Sequence, residues 1–239
     1  MENENLTLVD QAQAAEEELD LDGKPVESEV KKTRKDLHLP RRFFHMCGGL
    51  SVGSIYNYLL THQQAVYILG TCACLIYIFE QIRVAYPEYA SKYEMLTRYF
   101  YRAEERLKES AGVPMAMAYL LTILSFPKSI AIAAIFTLAL ADPLSAIIGI
   151  RFGKRHLVKE KTLEGSAAFF TATFTVVLMV LWSFNGQLSG AIWATALLTA
   201  LLGSAFEMIP LRLDDNMTIP LFTAFILWII SGFLAVPTP

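Results

Sequence analysis

Long apolar runs separated by short polar segments make up most of the chain after residue 43. Runs of about 18 or more apolar residues are typical of helices that cross a bilayer, where each helix satisfies its own backbone polar groups. The pattern therefore predicts an all-α polytopic membrane protein with about seven transmembrane helices. The predicted spans are residues 45–61, 64–83, 112–126, 128–151, 165–184, 187–206 and 216–236, and the third is short.

Two polar stretches interrupt or precede these spans. The first 29 residues hold ten acids and one lysine with almost no aromatic residues, so residues 1–37 are expected to form a disordered acidic tail and not a signal peptide. Residues 84–111 mix tyrosines with charges of both signs. They predict a connector that either lies along the membrane interface or forms a soluble segment. Residues 38–239 are predicted to form the membrane-embedded domain.

The charge distribution predicts an orientation. The net charge of −3 averages the acidic tail with basic clusters in residues 31–42, 83–108 and 151–161. The predicted spans put all three clusters on one side and leave only Lys128 on the other. The positive-inside rule then places the N-terminus and the charged loops in the cytoplasm. A bacterial plasma membrane and an endoplasmic reticulum membrane both fit this topology.

The three cysteines lie within apolar spans, where they are expected to pack as small apolar side chains. Cys72 and Cys74 are separated by one residue, which matches neither a zinc site nor a redox site.

Asp142 is the first candidate for chemistry, because an ionisable group at membrane depth is costly and usually functional. It is followed by Pro143, which removes a backbone N–H and clashes with the preceding turn. We therefore expect the fourth helix to be broken, with Asp142 as the N-cap of its second half. Ser145, Gly149 and Gly153 would then form a stripe that a ligand or a neighbouring helix can approach closely. The alternative is that Asp142 acts only as the cap.

A basic, glycine-bearing loop follows and predicts phosphate binding. Glycine exposes backbone amides to an anion, lysine and arginine supply positive charge, and the fifth helix offers its N-terminus. Positive-inside topology alone would also put basic residues here. The pattern is not a Walker P-loop. The residues concerned are Gly153, Lys154, Arg155, Lys161, Thr162, Glu164 and Gly165.

Acids near the later spans predict a magnesium site. Glu207, Asp214 and Asp215 lie at the cytoplasmic ends of the sixth and seventh spans, and Mg²⁺ commonly takes one or two carboxylates together with phosphate oxygens. Asp215 or Asn216 capping the last helix is the simpler alternative. At the start of the first span, Arg42 and His45 lie one helical turn apart. We expect both residues to contribute to the same site. The alternative is that Arg42 only contacts lipid phosphates.

Four groups of residues together resemble the CTP-dependent lipid-alcohol kinases, which comprise dolichol kinase, phytol kinase and fungal-type diacylglycerol kinase. These enzymes are in turn similar to the phosphatidate cytidylyltransferases. The resemblance covers about residues 38–236. Its marks are Arg42-x-x-His45, Asp142-x6-Gly149-x3-Gly153-Lys154, Lys161-Thr162-x-Glu164-Gly165-Ser166, and Glu207 with Asp214-Asp215-Asn216-x-x-Ile219-Pro220. The longer cytidylyltransferase signature is absent, which favours the kinase.

The resemblance implies transfer of the γ-phosphate of CTP to the hydroxyl of a lipid alcohol such as diacylglycerol, a polyprenol or phytol. The hypothesis assigns catalysis to Asp142, Lys161 and His45. It assigns nucleotide binding to Arg42, Gly149, Gly153, Lys154, Arg155, Thr162, Glu164 and Gly165, and Mg²⁺ binding to Asp142, Glu207, Asp214 and Asp215. Lipid bilayer, lipid alcohol and CTP are the expected partners, with no nucleic acid. Phosphatidate cytidylyltransferase and a small ion-coupled transporter are the alternatives.

Overall fold

The computed structural model describes residues 39–86, 112–158, 161–211 and 213–239. The predicted acidic tail and nearly all of the predicted 84–111 connector lie outside the described residues. Within these four ranges the chain forms seven α-helices and two short β-strands.

Every predicted span corresponds to one α-helix, so the prediction of an all-α polytopic membrane protein is confirmed. Five of the seven helices, α2 and α4 to α7, are long and apolar enough to cross a membrane. The 14-residue α3 is about 21 Å long, shorter than the roughly 30 Å of a hydrocarbon core. The helices are α1 (Leu39–Tyr58), α2 (His62–Ala85), α3 (Gly112–Ser125), α4 (Lys128–Phe152), α5 (Leu163–Asn185), α6 (Gly190–Glu207) and α7 (Asp215–Phe233).

Helix α4 is the centre of the bundle. It packs against α1, α3, α5 and α7, while α6 packs against α5 and α7, and α2 packs mainly against α3. Thirteen of its residues are buried and lie on all sides of the helix, which is typical of a core helix rather than one that faces lipid. Helix α2 is the least buried of the five spanning candidates. The bundle therefore surrounds the helix that carries Asp142.

The predicted break at Asp142-Pro143 is wrong. Helix α4 is continuous from Lys128 to Phe152, with Pro143 buried in its interior, so Asp142 is not an N-cap. Proline still deprives one carbonyl of its helical N–H donor, but membrane helices tolerate this where neighbouring helices and hydroxyl side chains support the backbone. The carbonyl concerned is that of Ala139, whereas Ser145 Oγ donates to the Asp142 carbonyl oxygen at 2.9 Å, so the four helices packed around α4 are what hold both halves in line.

Gly49 makes a close crossing between α1 and α4 possible. A Cβ at this position would lie 2.6 Å from Ala139 Cβ and 2.7 Å from the Tyr119 hydroxyl, which is closer than real side chains approach. Small residues let membrane helices pack backbone to backbone. This contact fixes α1 against α4 two turns away from Arg42.

The bundle has two ends with different chemistry. We call one the distal end: there Lys128 Nζ donates to the carbonyls of Asn57 (3.0 Å) and Leu60 (3.5 Å), and Ser129 N donates to the Pro239 carbonyl (3.1 Å). The bonds from Lys128 satisfy carbonyls at and just beyond the end of α1, and the bond from Ser129 satisfies an N–H in the first turn of α4. The opposite end, which we call the site end, contains the end of α4, the start of α5, the end of α6 and the start of α7.

Candidate functional site

A short β-hairpin positions Lys161 at the site end. Strand β1 (His156–Val158) pairs antiparallel with β2 (Lys161–Thr162), with His156 opposite Thr162. Thr162 then caps α5, its Oγ1 accepting from Gly165 N at 3.2 Å. The side-chain oxygen satisfies an N–H that the first helical turn leaves unpaired. The hairpin and the cap hold Lys161 directly before the start of α5.

The Lys161 ammonium is the centre of a charged cluster. Its Nζ lies 2.5 Å from Glu207 Oε1, at the end of α6, and 3.4 Å from Asp215 Oδ2, in the first turn of α7. Burial alone would lower the pKa of Lys161. The nearby carboxylates, Glu207 foremost and then Asp215 and Asp142, outweigh burial, so the pKa lies above its ordinary value. Lys161 is therefore a permanent cation at neutral pH.

Asp142 on α4 belongs to the same cluster. Its carboxylate lies within electrostatic range of Lys161, Asp215, Arg42 and Glu207, and it is partly buried. Residues from α1, α4, β2, α6 and α7, far apart in sequence, thus meet at one end of the bundle. A group of fixed charges in a partly buried position interacts more strongly with a charged ligand than the same group in open water.

The glycines of the predicted stripe contact a neighbouring helix. A Cβ at Gly165 would lie 2.9 Å from the Ser145 carbonyl oxygen and 3.3 Å from Gly149 Cα. A Cβ at Gly149 would lie 3.0 Å from Thr162 Oγ1, and one at Gly153 2.6 Å from Thr162 Cγ2. The sequence allowed either a ligand or a helix at this stripe, and the start of α5 is what packs here. Direct contact of these glycines with phosphate stays a prediction.

The other predicted nucleotide-binding residues lie around the hairpin. Lys154 and Arg155 are exposed, and Glu164 Oε2 accepts from the backbone N–H of Arg155 at 3.4 Å. His45 is partly buried on α1, one turn after Arg42. The roles assigned to these residues stay predictions.

The four predicted metal ligands occupy different environments. Asp214 caps α7: its Oδ1 accepts from Asn216 N (2.8 Å) and Asn216 Nδ2 (2.7 Å), where the sequence suggested Asp215 or Asn216 as the cap. Glu207 is engaged by Lys161. Within the described ranges, no three or more His, Cys, Asp or Glu side chains are grouped closely enough to hold a metal ion by themselves.

Two polar features of the structure were not found from the sequence. Ser166 Oγ lies 3.5 Å from Glu207 Oε2, which extends the Lys161 cluster by one residue. On α2, Glu80 and Arg83 form a buried ion pair with N–O distances of 2.6 and 3.1 Å. An acid three residues before an arginine in an apolar run was the signal for this pair, since such residues are neighbours on a helix.

Comparisons with known proteins found two relatives. The chain is 29% identical over 137 residues to an uncharacterized protein of Rickettsia prowazekii, covering 54% of this chain and 65% of the relative. It is 35% identical over 101 residues to the probable phytol kinase 3, chloroplastic, of Glycine max, covering 38% of this chain and 31% of the relative. The chain thus spans less than two thirds of either relative. No protein-family model matches the chain, and no solved structure matches it.

Proposed function

We propose that this protein is an integral membrane kinase that transfers the γ-phosphate of CTP to the hydroxyl of a lipid alcohol at the cytoplasmic surface of its membrane. The observation that carries the proposal is the meeting of the Lys161 ammonium with the carboxylates of Glu207, Asp215 and Asp142 at one end of an apolar helix bundle. The similarity to a plant phytol kinase supports the reaction class. The choice of CTP follows from the sequence resemblance.

Phosphoryl transfer depends mainly on positioning and on stabilisation of charge on the transferred group. In this proposal Lys161 contacts the phosphates from β2, while Lys154 and Arg155 contact them from the exposed segment before β1. Arg42, within electrostatic range of Asp142, adds a fourth cation on the α1 side.

Asp142 is proposed as the base that accepts the proton of the lipid hydroxyl. It lies on the central helix, ten residues before the end of α4, so an alcohol entering from the bilayer meets it before reaching the polar hairpin. The nucleotide approaches from the hairpin side. The bond that forms joins the lipid oxygen to the γ-phosphorus, the bond to the β-phosphate oxygen breaks, and CDP leaves.

The predicted Mg²⁺ fits only part of its predicted ligand set. Magnesium usually keeps several waters and takes one or two carboxylates together with phosphate oxygens. Asp215, with 48% of its side chain exposed, and the partly buried Asp142 meet that description. Glu207 and Asp214 accept short hydrogen bonds from protein groups, at 2.5 and 2.8 Å, whereas the bond that Asp215 accepts from Lys161 is longer, at 3.4 Å. When bound, the ion would offset negative charge on the phosphates.

Labelled nucleotide tests the proposal directly. Purified protein in lipid nanodiscs would receive CTP or ATP labelled at either the α- or the γ-phosphate, with diacylglycerol, a polyprenol, phytol or phosphatidate as acceptor. The expected result is lipid labelled only from the γ-position, with a mass increase of one phosphate, and loss of this product in Lys161→Gln. Label from the α-position on the lipid would instead indicate a cytidylyltransferase, and no lipid product from any acceptor would reject the kinase.

A further inference from the structure

The two carboxylates that contact Lys161 differ sharply in exposure. The side chain of Glu207 is 2% exposed, whereas that of Asp215 is 48% exposed. Lys161 itself is 36% exposed, so its ammonium lies between a buried acid and a solvated one. The difference in exposed fraction distinguishes Glu207 from Asp215, which the sequence pattern did not distinguish.

The position of Glu207 explains why it needs Lys161. Glu207 is the last residue of α6, where the negative end of the helix dipole disfavours a carboxylate. A buried charge is also strongly destabilising unless it is paired. The Lys161 ammonium supplies the pairing charge at 2.5 Å.

The second oxygen of Glu207 is also used within the protein. Ser166, in the first turn of α5, points its hydroxyl at Glu207 Oε2 from 3.5 Å, and the positive end of the α5 dipole is on that side. Each carboxylate oxygen therefore faces a donor of the protein, and the exposed fraction of the side chain leaves little access for a hydrated ion. Mg²⁺, which gives up its waters reluctantly, is a poor occupant of such a position.

We infer that Glu207 is a positioning residue that, with Ser166, fixes the Lys161 ammonium toward the nucleotide phosphates, and that it is not a ligand of the metal. This inference rests on the proposed function for its kinetic consequence. Its structural part, the dependence of Glu207 and Lys161 on each other, is independent of the reaction. Of the two acids that contact Lys161, Asp215 is then the one available to the metal.

Kinetics of matched amide variants test the assignment. We expect Glu207→Gln to raise the KM for CTP by about tenfold, the loss expected for one charge-assisted hydrogen bond, and to leave the Mg²⁺ concentration for half-activation unchanged. Asp215→Asn should show the reverse pattern. Glu207→Asp, which keeps the charge, should recover part of the CTP affinity. A raised Mg²⁺ requirement in Glu207→Gln with an unchanged KM would overturn the inference.

Thermal unfolding provides a readout that does not depend on activity. Lys161→Gln and Glu207→Gln should each lower the melting temperature, because the first leaves the buried Glu207 carboxylate unpaired and the second removes the shorter of the two ion pairs of Lys161. The double variant should recover most of the loss. Additive losses would contradict the inference. If the wild-type protein phosphorylates no lipid, the kinase proposal fails, but this double-mutant cycle still tests the pairing of Lys161 with Glu207. If the wild type is active and the cycle is additive, only the inference fails.

Discussion

Asp142 is a partly buried carboxylate, which is energetically costly, and it is also the proposed catalytic base. It lies on the most buried helix, yet within electrostatic range of two cations, Lys161 and Arg42. An isolated carboxylate at membrane depth is expensive, so a carboxylate retained there needs either partners or a reaction. The cluster around Lys161 supplies the partners, and in the proposed mechanism Asp142 also accepts the proton of a lipid hydroxyl.

Replacing Asp142 by asparagine keeps the shape and removes the base. We expect Asp142→Asn to lower the rate of lipid phosphorylation by at least about 100-fold, the usual contribution of a general base. The melting temperature should stay the same or rise, because a neutral amide is less costly than a carboxylate in this position. Initial rates with γ-labelled CTP and thermal unfolding in nanodiscs measure both. A near-normal rate would remove Asp142 from the mechanism.

The sequence identified most residues of the cluster but not how their exposure and contacts differ. Asp142, Lys161, Glu207 and Asp215 stood out because charged residues are rare beside apolar runs. Their exposure depends on the packing of four separate segments, so no local pattern distinguished buried Glu207 from solvated Asp215. Ser166 was overlooked as a partner for the same reason, since a serine in an early helical turn has no distinctive neighbours in sequence.

At the scale of elements, hydropathy was sufficient to predict the helices but not their details. All seven helices of the described ranges lie where the apolar runs predicted them. The continuous α4 was missed because the effect of Pro143 depends on the helices packed around it, which a single-helix rule does not include. The β-hairpin was missed because strands of two and three residues are too short to show an alternating pattern.

The close contact between α4 and the start of α5 predicts a sharp difference between two glycines. In Gly165→Ala the added Cβ would lie 2.9 Å from a backbone oxygen, that of Ser145, which moves only if α4 moves. We expect destabilisation by about 1–3 kcal/mol and a matching loss of activity as the Lys161 cluster shifts.

Gly48→Ala is the control for Gly165→Ala. This glycine also lies in a helix, but its added Cβ has no neighbour within 4 Å. It should therefore be neutral or slightly stabilising, because alanine favours a helix over glycine by about 1 kcal/mol. Melting temperatures of both variants in the same nanodiscs give the comparison. Equal effects of the two substitutions would mean that the tight contact does not hold the site end together.

At the scale of the whole molecule, the two ends of the bundle differ in their charges. Among the described residues, the cations at the site end include Arg42, Lys154, Arg155 and Lys161, whereas the distal end holds Lys128, whose ammonium binds carbonyls at and just beyond the end of α1. Lys128 therefore stabilises the distal end of the bundle. The excess of cations at the other end is what the positive-inside rule associates with the cytoplasm, where nucleotides are available.

Cysteine accessibility tests this orientation. The free, exposed cysteines Cys47, Cys72 and Cys74 would first be replaced by serine. Leu157→Cys in the hairpin and Leu188→Cys before α6 are well matched reporters, because both leucines are 46% exposed. In sealed vesicles of known orientation, a membrane-impermeant maleimide should label Leu157→Cys only from the cytoplasmic side and Leu188→Cys only from the opposite side.

Each other labelling pattern has a definite meaning. Labelling of both positions from one side would contradict a chain in which α5 crosses the membrane between them. Labelling of Leu157→Cys only from the non-cytoplasmic side would put Lys161 in the wrong compartment for CTP, since β1 and β2 are paired strands of one hairpin. A nucleotide-dependent kinase would then lack its phosphate donor, and the proposed function would fail whatever the geometry of the cluster.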